Sequence, residues 1–157
     1  MSRPARRLDR SPLIHLAEKA TRALGVDMVR AAREQGYSQI RLAHNAVFAT
    51  LSGEAARTSD MAARAGITKQ SMGEVVRELA DLGILEVKPD PDDGRAKLVS
   101  YTDFGLEVTE NGTRHLEHLE RQFVEQFGAE DYEAARRVLE GVIATIGAEQ
   151  PPEKGRH

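Results

Sequence analysis

The stretch at 58–76, "TSDMAARAGITKQSMGEVV", constrains the fold more than any other part of the chain. Two short runs with helical apolar spacing flank a glycine, Gly66, and a small residue, Ala62, stands four positions before it. Two short helices that cross steeply through a turn of three or four residues need this pattern. The residue facing the second helix must be small or the axes cannot approach, and Ala62 meets that condition. The turn needs a left-handed residue, and glycine adopts that conformation without a Cβ penalty. The inward flanking positions must be apolar, and Met61, Ala65, Ile67, Met72 and Val75 are. Thr58 or Ser59 stands where the first helix needs an N-cap, and Thr68 where the second does. A plainer reading stands beside this one: Gly66 caps one helix of an ordinary bundle.

The flanking sequence supplies more helices and one hairpin. Ser11 is placed as an N-cap and Pro12 at the first position of a helix ending at Gly36, with apolar residues at 13, 16, 17, 20, 24 and 28. Gly25 is expected to kink or split it. The run "SQIRLAHNAVFATLS" reads as a second helix with Ile40, Ala43, Val47 and Leu51 on one face and Gly53 just past its end. Helices at 58–65 and 68–82 follow. "ILEVKP" and "AKLVSYT" are strand-like, and the turn-rich "DPDDGR" between them makes a β-hairpin. Thr102 or Asp103 caps a long helix at 103–127, weakened locally by Gly112, and a last helix covers 130–147. The polar end "EQPPEKGRH" is expected to fray. The order is α-α-α-α-β-β-α-α without internal repeats.

Composition narrows the function classes. The 157 residues fit one domain, or one compact lobe with a smaller one, and 40% hydrophobic with 30% charged residues is a soluble globular balance. No apolar run approaches 18 residues, so no membrane-spanning helix is expected. The basic start "MSRPARRLDRSP" is not followed by an apolar signal core. Cysteine is absent, which excludes disulfides, thiolate metal sites and thiol redox sensing, and a cytoplasmic protein is the simplest expectation. The net charge of −3 argues against nucleic acid only as an average. Residues 1–33 carry eight basic and three acidic side chains, residues 34–102 eight and ten, and residues 103–149 four and eleven. The acidity lies in the C-terminal third, which would face away from a polyanion.

The second helix of the central pair then has two faces. Met72, Val75, Val76, Leu79 and Leu82 point to a core, and Lys69, Gln70, Gly73, Glu74 and Arg77 lie opposite. Thr68 and the first free amides suit a phosphate. Lys69 neutralises phosphate, Gln70 has the bidentate geometry for adenine, and Arg77 reaches guanine or backbone. Gly73 would let the helix backbone approach a groove wall. A merely solvated polar face is the alternative. At the hairpin tip, Arg95 beside Asp93-Gly94 is suited to a narrow minor groove, with Asp93 holding its guanidinium and Lys97 nearby. A surface ion pair is the alternative there. Acids at 86, 90, 92 and 93 would repel phosphate.

With these residues in view, "DMAARAGITKQSMGEVVRELADLGILEVKPDPDDGRAKLVSYTDFG" resembles the winged helix-turn-helix core of MarR-type transcriptional regulators. "DGRAKLVSYT" is similar to that family's D-x-R wing pattern, and "LADLGILE" to its recognition-helix exit; the specific match spans about residues 39–106. The resemblance implies a mainly α fold with a small β-hairpin wing. It also implies a homodimer on double-stranded DNA, in which the N-terminal helix and the C-terminal helices form the dimerisation lobe. The implied division is 1–36 for the N-terminal helix of that lobe, 37–102 for the DNA-binding lobe, 103–149 for its C-terminal helices and 150–157 for a flexible tail. By the same resemblance Thr68, Lys69, Gln70, Ser71 and Gly73 fall at major-groove positions and Arg95 at the minor-groove position. Thr58, Ser59, Arg77, Asp93 and Lys97 complete the expected DNA-binding set. Glu74 departs from the family pattern, where basic or small polar residues are common, and fits base contact only by accepting from cytosine N4 or by pairing with a neighbour.

Relatives of this kind are often released from DNA by a small aromatic acid, a metal or an oxidant. Arg41, His44 and Phe48 would offer a cation, a hydrogen-bonding ring and an apolar wall to an aromatic carboxylate; helix-surface residues are the alternative. His115 and His118, with Glu117 and Glu120 near and His44 within reach, have two-imidazole spacing but no defined third ligand, and a solvated face accounts for them, so no metal or other cofactor is expected. The expected function is sequence-specific regulation of transcription, as a ligand-responsive repressor on a pseudo-palindromic operator. The competing classes are a winged-helix protein-interaction module without DNA binding, and an enzyme. No Ser-His-Asp set, phosphate loop, Cys-His arrangement or carboxylate pair supports an enzyme.

Overall fold

The computed structural model describes residues 10–147. The readings of the basic N-terminal segment up to residue 9 and of the polar tail at 150–157 lie outside the described residues. The chain forms two compact units, one up to His115 and one from Leu116.

The first unit opens with α1 (Leu13–Glu34), continues through a 3-10 turn (Leu42–His44), α2 (Asn45–Phe48), β1 (Ala56–Arg57), α3 (Thr58–Ala65) and α4 (Lys69–Asp81), and adds β2 (Leu85–Asp90) and β3 (Asp93–Tyr101). It ends in the first half of α5 (Asp103–Phe127). The three strands form an antiparallel sheet in the order β1-β3-β2, with Val99 opposite both Ala56 and Val87. Met61, Met72, Leu79, Val47 and Val99 are the fully buried apolar centre, joined by Ile40, Leu51, Val75, Val76, Ile84, Leu85 and Val108.

Several expectations need correction. Ser11 does not cap α1: the helix starts one residue later, and the Pro12 carbonyl accepts from His15 and Leu16 N–H at 3.1 and 3.2 Å. Gly25 does not split α1. It is buried where the next segment crosses, and a Cβ there would lie 2.6 Å from Leu42 Cδ1. The second helix is far shorter than "SQIRLAHNAVFATLS". Arg41 is extended, and its N–H donates to His44 Nδ1 at 3.1 Å, so the ring starts a 3-10 turn in place of a helix. At the other end Thr50 Oγ1 donates to the Ala46 carbonyl at 2.6 Å, a local bond that competes with the helical ladder. Ala43 is consequently exposed, although Ile40, Val47 and Leu51 are buried as expected.

The hairpin differs as well. β3 begins at Asp93, so only Pro91 and Asp92 form the loop, and of "DPDDGR" Asp90 and Asp93 are paired while the register shifts between Pro89 and Asp90. The third strand, β1, was absent from the expected order because two residues display no period-2 pattern. Ile67 is 37% exposed and not inward. Thr102 begins α5: its Oγ1 accepts from Gly105 N–H at 3.0 Å and donates to the Gly83 carbonyl at 2.5 Å. Gly105 permits that closeness, since a Cβ would meet the Ile84 carbonyl oxygen at 2.0 Å. Gly112 leaves the helix unbroken.

The second unit comprises the rest of α5 and α6 (Ala129–Gly147). Phe123 and Phe127 lie with centroids 6.3 Å apart, and Arg136 bridges Glu120 and Glu140 at 3.8 and 3.5 Å. Val138, Leu139, Val142, Ile143 and Ile146 all remain exposed. Among the described residues no helix is long and apolar enough to cross a membrane.

Candidate nucleic-acid interface

The turn between α3 and α4 has the geometry that its residues dictate. Gly66 sits at φ 65° and ψ 29°, and Ile67 N–H reaches back to the Ala62 carbonyl at 3.1 Å, closing the C-terminus of α3. Ala62 is buried, which lets α4 cross closely. Thr68 Oγ1 accepts from Ser71 N–H at 3.1 Å and donates to Ser71 Oγ at 2.8 Å. The Thr68 hydroxyl is thus committed to capping α4. Thr58 and Ser59 do not cap α3. They lie in its first turn, because strand β1 delivers Arg57 in extended conformation as the N-cap residue.

α4 separates its faces cleanly. Met72, Val75, Val76 and Leu79 are buried, while Leu82 just beyond it is half-buried. Lys69, Gln70, Ser71, Glu74 and Arg77 are exposed, with the half-buried Gly73 among them. A Cβ on Gly73 would meet nothing within 4 Å, so this face has open space in front of its backbone. Arg77 Nε donates to the Gly73 carbonyl at 3.3 Å, and Gln70 Nε2 donates to Glu74 Oε1 at 3.4 Å. Among the described residues neither Lys69 nor Glu74 has an ion-pair partner.

On the hairpin, Arg95 and Lys97 are exposed. Asp93 does not hold the Arg95 guanidinium. Its Oδ1 accepts from the Arg95 backbone N–H at 3.1 Å, a local turn bond that occupies the carboxylate. The acids of the hairpin repel less than their number suggests. Asp90 is buried: its Oδ1 accepts from Asp92 N–H at 2.9 Å, and Arg57 grips its Oδ2 through Nε at 2.7 Å and Nη2 at 2.5 Å. The Asp92 amide first, and then Arg57, hold this carboxyl below the usual carboxylate range against the cost of burial. Glu86 is engaged by Lys88 at 2.7 Å and Ser100 at 3.1 Å, and both partners lower its pKa. Asp92 and Asp93 remain exposed. The Arg57–Asp90 brace leaves no local signal in the sequence, since it joins residues 33 apart that the sheet brings together.

The expected effector trio is placed differently. The Arg41 guanidinium and His44 Nε2, the latter at 3.0 Å, converge on Glu78 Oε2 of α4. His44 is buried, and its Nδ1 accepts from Arg41 N–H, so Nε2 carries the proton donated to Glu78. Arg41 first, then His44, depress the Glu78 pKa. Phe48 stacks on Tyr101, centroids 6.5 Å apart and planes at 4°. Among the described residues the buried Tyr101 hydroxyl has no partner, and burial pushes its pKa up to about 12. His115 Nε2 meets Asp27 Oδ2 at 2.6 Å, while His118 is exposed. Among the described residues no group of three or more potential ligands could hold a metal ion.

Comparison with known proteins fits this geometry. A family model described as MarR family matches residues 40–96. An HTH-type transcriptional regulator of Mycobacterium leprae is 32% identical over 96 residues, covering 58% of this chain and 67% of that protein. Another from Mycobacterium tuberculosis is 35% identical over 78 residues, 49% of this chain and 54% of that one. The fold is similar to that of apo MarR from E. coli, with a TM-score of 0.70 at 16% identity over 86% of this chain and 99% of that one. It is also similar to the fold of S. aureus MepR in its complex with DNA, with a TM-score of 0.70 at 14% identity over 87% of this chain and 99% of that one. The chain belongs to the MarR family of transcriptional regulators.

Proposed function

We propose that this regulator binds double-stranded DNA as a homodimer and represses transcription from a pseudo-palindromic operator. The observation that carries this reading is the outward face of α4. A capped, rigid helix presents Lys69, Gln70, Ser71, Gly73 and Arg77 to open space while its other face is locked into the core. Such a helix enters a major groove, and two of them related by two-fold symmetry read half-sites about one helical turn apart. Arg95 enters the adjacent minor groove, with Lys97 on phosphate. Thr58 and Ser59, in the first turn of α3, are assigned to the flanking backbone. Asp93 serves the wing by ordering the Arg95 backbone.

The same reading includes release by a small aromatic carboxylate. Its anionic group would compete with Glu78 for Arg41 and His44, with the Phe48 ring as its apolar wall. Since Glu78 belongs to α4, such competition gives the ligand different affinities for two settings of the recognition helix, the condition for a population shift. α1 and the C-terminal helices form the dimer, in a cytoplasmic protein.

The test is fluorescence anisotropy with the gene's own upstream duplex and a scrambled one, for wild type and Arg95→Ala, over a salt series. Preferential binding of the upstream duplex, weakened by the substitution and falling with salt, is the expected result. Equal, feeble binding to both, unchanged by Arg95→Ala, contradicts it and favours a protein-interaction module. Titration of the preformed complex with benzoate-class acids tests release; affinity unchanged by all of them removes the effector from the account.

A further inference from the structure

Glu74 is the residue of the α4 face that the proposed function does not absorb. It is exposed between Gln70 and Arg77, on the surface assigned to a polyanion, and among the described residues no cation pairs with it. Arg77, one turn on, directs its Nε to the Gly73 carbonyl instead. An uncompensated carboxylate in a groove weakens binding unless a base donates to it. Among the described residues its one side-chain hydrogen bond is with Gln70 Nε2, at 3.4 Å.

We propose that Glu74 is a specificity-determining residue that selects cytosine in the major groove, oriented by Gln70. A carboxylate has only acceptors. Guanine and thymine present acceptors at their major-groove edges and repel it, adenine presents a donor flanked by the N7 acceptor, and cytosine presents only its N4 donor. Cytosine is therefore the one base whose own major-groove edge offers Glu74 a donor and no acceptor. Gln70 spends one N–H on Glu74, keeping Oε1 and its second N–H for the bidentate adenine contact. The two side chains stand one helical turn apart, about 6 Å, which spans one to two base steps of about 3.4 Å. The recognition helix thus reads an adenine and a nearby cytosine. Selection works by rejection as much as by attraction, since the carboxylate is repelled by the acceptor edges of guanine and thymine and meets the N7 acceptor beside the adenine donor.

This inference rests on the DNA-binding reading, and the experiment separates the two. The full chain and its Glu74→Gln and Glu74→Ala variants are each used to enrich duplexes from a random library. Anisotropy then measures the enriched half-site with all four bases at each position. Thermal melting checks that the exposed substitutions leave the fold intact. The expected result is a wild-type preference for cytosine of about tenfold at one position per half-site. Glu74→Gln, which keeps an acceptor of the same shape, retains part of it. Glu74→Ala abolishes it and binds the other three bases more tightly than wild type. An unchanged base ranking in Glu74→Ala, with a uniform rise in affinity, overturns the inference and leaves DNA binding standing. Failure of wild type to enrich any sequence overturns both.

Discussion

In the winged helix, Met61, Met72, Leu79 and Val99 are screened from solvent; in α6, Val142 is 38% exposed and Ile143 70%. Both regions carry the same kind of apolar periodicity. The first meets its own complement, because two helices crossing at Gly66 and a sheet centred on Val99 surround one cluster. The second has no described surface to cover it. Contiguous apolar surface left in this state marks an interface. Leu13, Leu16 and Leu24 of α1 are exposed in the same manner. The winged-helix core is thus closed within the first unit, with Val108 of α5 and Val29 and Ala32 of α1 packed into it, whereas the exposed apolar positions of α1 and α6 are where a second copy is expected.

The contrast can be broken by substitution. Leu79→Ala empties a fully buried site and should cost about 2–5 kcal/mol, read as a lower denaturation midpoint at unchanged slope. Ile143→Asp should leave the winged-helix core intact but weaken self-association by at least about tenfold, and remove any dependence of the melting temperature on protein concentration. Thr68→Ala deletes the cap of α4 and should cost about 1 kcal/mol. The smallest effect concerns acid. Asp90 has a depressed pKa in the folded chain, so its stabilising contribution is present above the unfolded carboxylate value near about 4 and is lost as pH falls through the lower folded one. Arg57→Ala should flatten that acid limb in pH-dependent melting, whereas Arg95→Ala should not.

Local chemistry explains what the sequence disclosed. Ala62, Gly66 and Thr68 act within a few residues of one another, so the helix pair and its turn were legible, as were α5 and α6 from long amphipathic spacing. β1 was not, because two residues have no period. Apolar spacing overestimates the second helix, because it says nothing about a histidine ring bonding backward to Arg41 N–H. The Arg57–Asp90 brace and the convergence of Arg41 and His44 on Glu78 join residues more than 30 apart, and no local pattern announces them. On the candidate interface the residue types of α4 were legible, whereas the role of Asp93 was not, since a carboxylate beside an arginine can serve either its guanidinium or its backbone.

If the apolar faces left open outside the winged helix are closed by a second copy, as proposed, two recognition helices are paired for one operator. Sedimentation of the wild-type chain alone and with its enriched duplex tests this most directly. Twice the chain mass in free solution and two chains per duplex are expected, with Ile143→Asp reducing both. A single chain at all concentrations, bound one per duplex with undiminished affinity, would contradict it.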